Sequence, residues 1–105
     1  MWSIFNKTIT IFGFSRRSAQ WPKIRKKHLE KNPVCAICGS KVKPEVHHIV
    51  PVHVDPSKEL DESNLITLCD KYCHFIFGHL MSWHSWNTDI LSDAQLFNEK
   101  INNRP

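Results

Sequence analysis

The sequence predicts a small α+β domain, and three observations predict it. Two short apolar runs with β-branched residues, EVHHIVPV and NLITLC, read as strands, stretches with helical apolar spacing stand on both sides of them, and four cysteines fall in two close pairs. A chain of 105 residues is the size of one domain, and its core is small enough that a further cross-link is expected. The 14 Lys and Arg exceed the 10 Asp and Glu, for a formal net charge of +4. The excess is concentrated between Arg16 and Lys31, where Glu30 is the one acidic residue. Such a block suits a polyanionic partner, because neutralised phosphates release condensed counterions, although a solvated helix face has the same composition.

Taken in order, residues 1–17 open with MWSIFNKTITIFGF, read as a strand or arm that packs Ile4, Ile9 and Ile11. Asn6, Lys7 and Thr8 interrupt the run, which is shorter than the roughly 20 residues a membrane helix needs and lacks a basic leader and a small-residue cleavage site. Neither a membrane helix nor a signal peptide is expected. Ser18 to Lys31 predicts an amphipathic helix with Trp21, Ile24, His28 and Leu29 on one stripe, Ser18 as its cap and Asn32-Pro33 as its end. His28 is read as a packed core histidine. CAICGS then places Cys35 and Cys38 across a tight turn that Gly39 permits.

EVHHIVPV reads as the first strand, DPSKELDES as a loop and NLITLC as a short buried strand. Tyr72, Phe75, Ile76, Leu80 and Trp83 recur at helical spacing and predict a helix from Tyr72 to about Trp86. Trp83, His84 and Trp86 are read as aromatic cover for the core, with base stacking the alternative for the tryptophans. His53 is read as a loop histidine making an ordinary hydrogen bond, with reach to a phosphate or a metal as the alternative. Residues 92–105 predict a short capped helix that packs Leu96, Phe97 and Ile101 on a domain spanning 18–91.

The chemistry concentrates in two clusters. Cys35, Cys38, Cys69 and Cys73 form two pairs at ligand spacing separated by a long stretch, which suits a closed tetrahedral zinc site better than two local disulfides. His47 and His48 are neighbours on a strand and point to opposite faces, so they suit two different roles, one as metal ligand and one as a base near neutral pKa. His74 follows Cys73 directly, so the cysteine site would fix its position. Phosphodiester cleavage needs those parts: a base for the attacking water and a cation to offset developing charge.

CAIC, VHHIVP, NLITLC and CH, in that order, resemble the HNH endonucleases, also called ββα-metal or His-Me finger nucleases, and ELDESNLITLCDKYCHFIFGHL is similar to a subgroup common among phage and bacterial proteins. The likeness runs roughly from Gln20 to Asn87. It implies a ββα-metal core, hydrolysis of DNA to 5′-phosphate and 3′-hydroxyl ends, His48 as general base, Asn64 as the brace of its loop, and His47 and His74 as ligands of one catalytic divalent metal. The second cysteine pair has one more intervening residue than the first, which displaces His74 relative to Asn64, so His79 stands as the alternative last ligand. On one regular helix these two histidines differ in direction by about 140°, and both reach one metal only if His74 precedes the helix.

The resemblance further implies structural Zn²⁺ on the four cysteines and Mg²⁺, Mn²⁺, Ni²⁺ or Zn²⁺ at the histidines. DNA is the expected partner, held with weak sequence preference through phosphate contacts from Arg16, Arg17, Lys23, Arg25, Lys26 and Lys27. A monomer or weak homodimer inside a bacterial cell is expected, phage-encoded or otherwise, with phage packaging or restriction proteins as candidate partners and no membrane association. The rival readings are a non-catalytic zinc-bound DNA-binding module and an RNA-cutting toxin of similar fold.

Overall fold

A computed structural model describes residues 17–70 and 72–105. The expected N-terminal strand or arm, with Ile4, Ile9, Ile11 and Arg16, lies outside the described residues. The architecture is a small α+β domain. Helix α1 (Trp21–Lys31) leads to strand β1 (Pro44–His48), two short 3₁₀ turns at Pro56–Lys58 and Glu62–Asn64 lead to strand β2 (Leu65–Cys69), a π-helical turn follows at His74–Gly78, and helix α2 (Ile90–Asn102) ends the order.

Helix α1 places Pro22 in its first turn, where the missing N–H costs nothing, and ends at Asn32, whose N–H reaches the His28 carbonyl at 2.8 Å. Gln20, not Ser18, is the N-cap, and the Ser18 hydroxyl accepts from the Gln20 N–H at 3.1 Å in the turn before it. Ser18 stands in the turn before the helix, its N–H donating to Glu59 Oε2 at 2.9 Å and its carbonyl accepting from the Trp21 N–H at 3.0 Å. His28 is packed as expected, buried with Nδ1 2.7 Å from Glu62 Oε2.

Strands β1 and β2 pair antiparallel with Pro44 opposite Cys69, His47 opposite Ile66 and His48 opposite Leu65. Every residue of β2 is buried, which explains its continuous apolar run. On β2 the Thr67 carbonyl accepts from the Ala36 N–H at 2.9 Å and the Thr67 hydroxyl donates to the Asn32 carbonyl at 2.7 Å, so the cysteine turn is held against β2.

The core gathers Cys35, Ile37, Ile66, Leu68, Cys69, Cys73, Ile90 and Ala94, with Phe77, Phe97 and Ile101 packed against it. Helix α2 presents Ile90, Ala94, Phe97 and Ile101 at helical spacing. It begins two residues before the expected cap Ser92, because buried Asn87 organises its start: Asn87 Oδ1 accepts from the Asp89 N–H at 2.8 Å and Nδ2 donates to Asp93 Oδ2 at 2.7 Å.

The expected helix from Tyr72 to about Trp86 is not formed. Helical structure stops after one π turn, and Leu80 and Met81 follow with φ of 54° and 67°. Two successive left-handed residues reverse the chain, which an α-helix cannot continue through. No helix among the described residues is long and apolar enough to cross a membrane.

Candidate active site

Four sulfur ligands of a tetrahedral zinc at about 2.3 Å lie about 3.8 Å apart. Cys38 Sγ and Cys69 Sγ are 3.8 Å apart, and the four Sγ atoms of Cys35, Cys38, Cys69 and Cys73 all lie within 4.8 Å of one another with no disulfide formed. The cluster is consistent with a zinc site. Burial raises the Cys35 thiol, but the backbone amides of Cys38, Cys69 and Ile37 outweigh it and leave its pKa below the ordinary value. Burial pushes the Cys73 thiol up, with the neighbouring Cys35 adding to it. A pocket that stabilises one thiolate and crowds further sulfurs around it suits a divalent cation in place of their protons.

The second cluster is built on β1 and the π turn. Alternation along β1 puts Glu45 and His47 on one face and His48 on the other. The backbone N–H of His79 donates to the His74 carbonyl at 3.0 Å, an i→i+5 bond. Residues five apart in such a turn come round to nearly the same side, whereas an α-helix would send them apart. His47, His74 and His79 therefore converge, with ligand nitrogens within 4.8 Å of one another. The structure brings His79 in beside His74 where the sequence offered the two as alternatives.

Gly78 lets the turn pack closely on the cluster. A Cβ there would lie 3.2 Å from His47 Cε1, 3.2 Å from His74 Cδ2 and 3.2 Å from Leu68 Cδ1, too close for ordinary packing. The turn is also tied to α2, since the Asn87 N–H donates to the Gly78 carbonyl at 2.9 Å.

Each ring is held by its other edge. His74 Nδ1 lies 2.8 Å from Glu45 Oε1, and His79 Nδ1 donates to the Ser85 carbonyl at 2.7 Å, which leaves Nε2 of each ring free to bind a cation. Among the described residues, buried His47 Nε2 has no hydrogen-bond partner. His28 Nε2 is likewise buried without a partner, but only His47 has two further imidazoles beside it, and that placement fits a metal ligand. Burial pushes the His47 pKa down to about 3, helped by His74, His79 and His48, and burial also lowers His79. Both rings are thus neutral at pH 7, the form that ligates metal.

That shift has a consequence for stability. An unfolded histidine binds a proton below about 6.5, and folded His47 does so only near 3. Between those values the unfolded chain carries the extra proton, so stability is full above the unfolded pKa and falls as pH drops, by on the order of one kcal/mol per unit. With the cysteine site filled and the histidine site empty, the urea midpoint is expected to fall between pH 6.5 and 4 more steeply than that of His47→Leu. Parallel pH profiles for the two proteins would contradict it.

His48 is buried and stacks on Trp21 with ring centroids 4.6 Å apart. Its Nε2 lies 2.9 Å from the Glu59 carbonyl. A carbonyl only accepts, so Nε2 carries the proton and Nδ1 keeps a lone pair. Burial lowers the His48 pKa, with the Glu59 carbonyl acting in the opposite sense. Asn64 is buried and crosses the loop after His48: its Oδ1 accepts from the Val50 N–H at 2.8 Å, and its Nδ2 donates to the carbonyls of Val50 at 3.0 Å and Lys58 at 3.2 Å.

All four histidines line one cavity of about 610 Å³, together with Arg17, His53, Trp83, His84 and Trp86. Trp83 does not cover the core as expected. It is 57% exposed because the reversal at Leu80 and Met81 carries it out over the histidines. Lys23, Arg25, Lys26 and Lys27 are exposed on α1 and do not line the cavity. Sequence reasoning missed Glu45, Gly78 and the carbonyls of Glu59 and Ser85. The glutamate two residues before His47, on the same strand face, was the one available signal.

No curated protein and no solved structure matches the chain. Residues 35–79 match the HNH endonuclease family model, a span that begins at the first cysteine and ends at the last histidine of the cluster. Residues 35–79 of this chain are an HNH endonuclease domain.

Proposed function

We propose that the protein is a metal-dependent DNA endonuclease in which His48 is the general base and His47, His74 and His79 hold one catalytic divalent cation. The observation that carries this is the buried Nε2 of His47, unpartnered among the described residues, beside the imidazoles of His74 and His79 and in the same cavity as His48. A cation bound there supplies positive charge against the scissile phosphate and the leaving oxygen. Three imidazoles favour Ni²⁺ or Zn²⁺ over Mg²⁺, which prefers oxygen ligands.

The chain's own residues do the rest. Water within reach of His48 gives its proton to Nδ1, while the Glu59 carbonyl holds the ring in that tautomer. Asn64 fixes the loop that carries Glu59. Arg17 at the cavity wall pairs with phosphate, and Lys23, Arg25, Lys26 and Lys27 on α1 contact phosphates further along with weak sequence preference. Structural Zn²⁺ on the four cysteines holds β2 and the π turn in register. In this reading residues 18–91 make the nuclease unit, with the C-terminal helix packed upon it.

The test is cleavage of supercoiled plasmid, single-stranded DNA and RNA by protein that keeps zinc at the cysteines and has its histidine site emptied, then given Mg²⁺, Mn²⁺, Ni²⁺ or Zn²⁺. Metal-dependent nicking is expected. Activity confined to RNA, or none with any metal while the cysteine site stays filled, would overturn the proposal.

Glu45 has an expected role that can be measured without cleavage. A carboxylate on the far nitrogen of a metal-binding imidazole fixes its orientation and raises its basicity, and such partners are worth about 10–100-fold in metal affinity. Glu45→Gln is expected to weaken Ni²⁺ binding at the histidines by that factor in a calorimetric titration, with zinc content at the cysteines unchanged. Affinity unaltered within twofold would show the 2.8 Å contact to be incidental.

A further inference from the structure

The cavity around the histidines is larger and more aromatic than a phosphate requires. Trp83 packs edge-on or tilted against three rings, with centroids 5.3 Å from His74, 4.9 Å from His79 and 4.9 Å from Phe75, yet it remains 57% exposed. Trp86 lines the same cavity and meets His53 edge to face at 5.8 Å. The surface is aromatic, open, and continuous with the candidate metal site.

The backbone holds Trp83 there by an unusual path. Leu80 and Met81 adopt φ of 54° and 67°, a region that L side chains rarely enter. The reversal is pinned by the Met81 N–H on the Phe75 carbonyl at 2.9 Å and the Ser82 N–H on the His79 carbonyl at 3.1 Å. Neither side chain gains burial from it, since Leu80 is 54% and Met81 66% exposed. What the reversal achieves is the placement of an indole beside two of the three clustered histidines.

Bases stacked and paired in a regular duplex present only edges in a groove, and none enters a concave site. An unstacked base does enter, and an aromatic face is what binds it without regard to sequence. We propose that Trp83 is a base-stacking platform which makes the site select DNA with an unpaired nucleotide beside the scissile phosphate: a single strand, a bulge or a fork. This rests on the endonuclease reading and narrows its substrate class. Arg17, on the same cavity wall, supplies the phosphate contact, and Trp86 offers a second ring for the neighbouring base.

The test uses the full chain with zinc at the cysteines, in a His48→Ala background that prevents turnover. Anisotropy of labelled oligonucleotides compares a single strand, a matched duplex and the same duplex with a two-nucleotide bulge. Single-stranded and bulged DNA are expected to bind about 10-fold more tightly than duplex. Trp83→Ala is expected to lose about 10- to 100-fold of that binding, the range for one stacked base, with duplex binding unchanged and Trp83→Phe largely retaining it. Ni²⁺ titration of Trp83→Ala separates stacking from packing, because a purely structural role would weaken metal binding as well.

Equal affinity for duplex and single strand, loss by Trp83→Ala on both alike, or lost Ni²⁺ affinity would each overturn the proposal. Parallel cleavage assays with His48 intact separate the two readings. Preferential binding of unpaired DNA by a chain that cuts nothing would sustain the platform and sink the endonuclease. Equal cutting of duplex and single strand, unaffected by Trp83→Ala, would do the reverse.

Discussion

His48→Ala is expected to lower DNA cleavage by about 10²–10⁴-fold, the usual worth of a positioned general base. The ring cannot be replaced by solvent, because its tautomer is set by the protein: Nε2 is spent on the Glu59 carbonyl at 2.9 Å, and only Nδ1 is left to accept a proton. Burial holds its pKa below the ordinary histidine value, so the basic form predominates at pH 7. Cleavage should therefore persist as pH falls to the ordinary histidine range and decline below it. Measured on supercoiled plasmid, the variant should keep its zinc, its fold and its metal affinity at the other histidines, since His48 lies on the opposite face of β1 from His47. A His48→Ala protein within threefold of wild type would remove His48 from the mechanism.

Removing the zinc proposed for the four cysteines should cost the fold itself. Structural zinc contributes roughly 10–16 kcal/mol at neutral pH, and a domain of this size has a net stability of only about 5–15 kcal/mol. Three of the four cysteines are themselves part of the core, alongside Ile37, Leu68, Ile90 and Ala94. Cys35→Ser should therefore abolish the cooperative thermal transition, and chelation of the wild type should do the same reversibly. The histidine cluster would be lost with it, because Cys69 ends β2 and Cys73 immediately precedes the π turn. A Cys35→Ser protein that melts within about 5 °C of wild type, a change of roughly one kcal/mol, would show that the sulfurs merely pack.

Much of this was legible from the chain. The two cysteine pairs point to the four-sulfur cluster because thiolate ligation needs close local spacing and little else. Alternation along a strand separates His47 from His48 whatever the fold around them, and the β-branched runs mark β1 and β2. The apolar stripe of α1 and the spacing of Phe97 and Ile101 in α2 follow from helical periodicity alone.

What the sequence could not decide was the path after Cys73. An α-helix and a π turn are written with the same residues, and the choice here rests on Gly78 fitting against His47, His74 and Leu68 and on Asn87 holding its carbonyl. Helical spacing likewise predicted Trp83 as core, because periodicity says which residues share a face but not what that face meets. The partners of the histidines, Glu45 for His74, the Ser85 carbonyl for His79 and the Glu59 carbonyl for His48, are chosen by side-chain and backbone positions that only packing brings together. Ligand spacing and alternation are local and survive in one dimension. The direction of an imidazole, and whether a third one joins two others, depends on contacts across the chain, and those exist only once β1, the π turn and α2 are packed together.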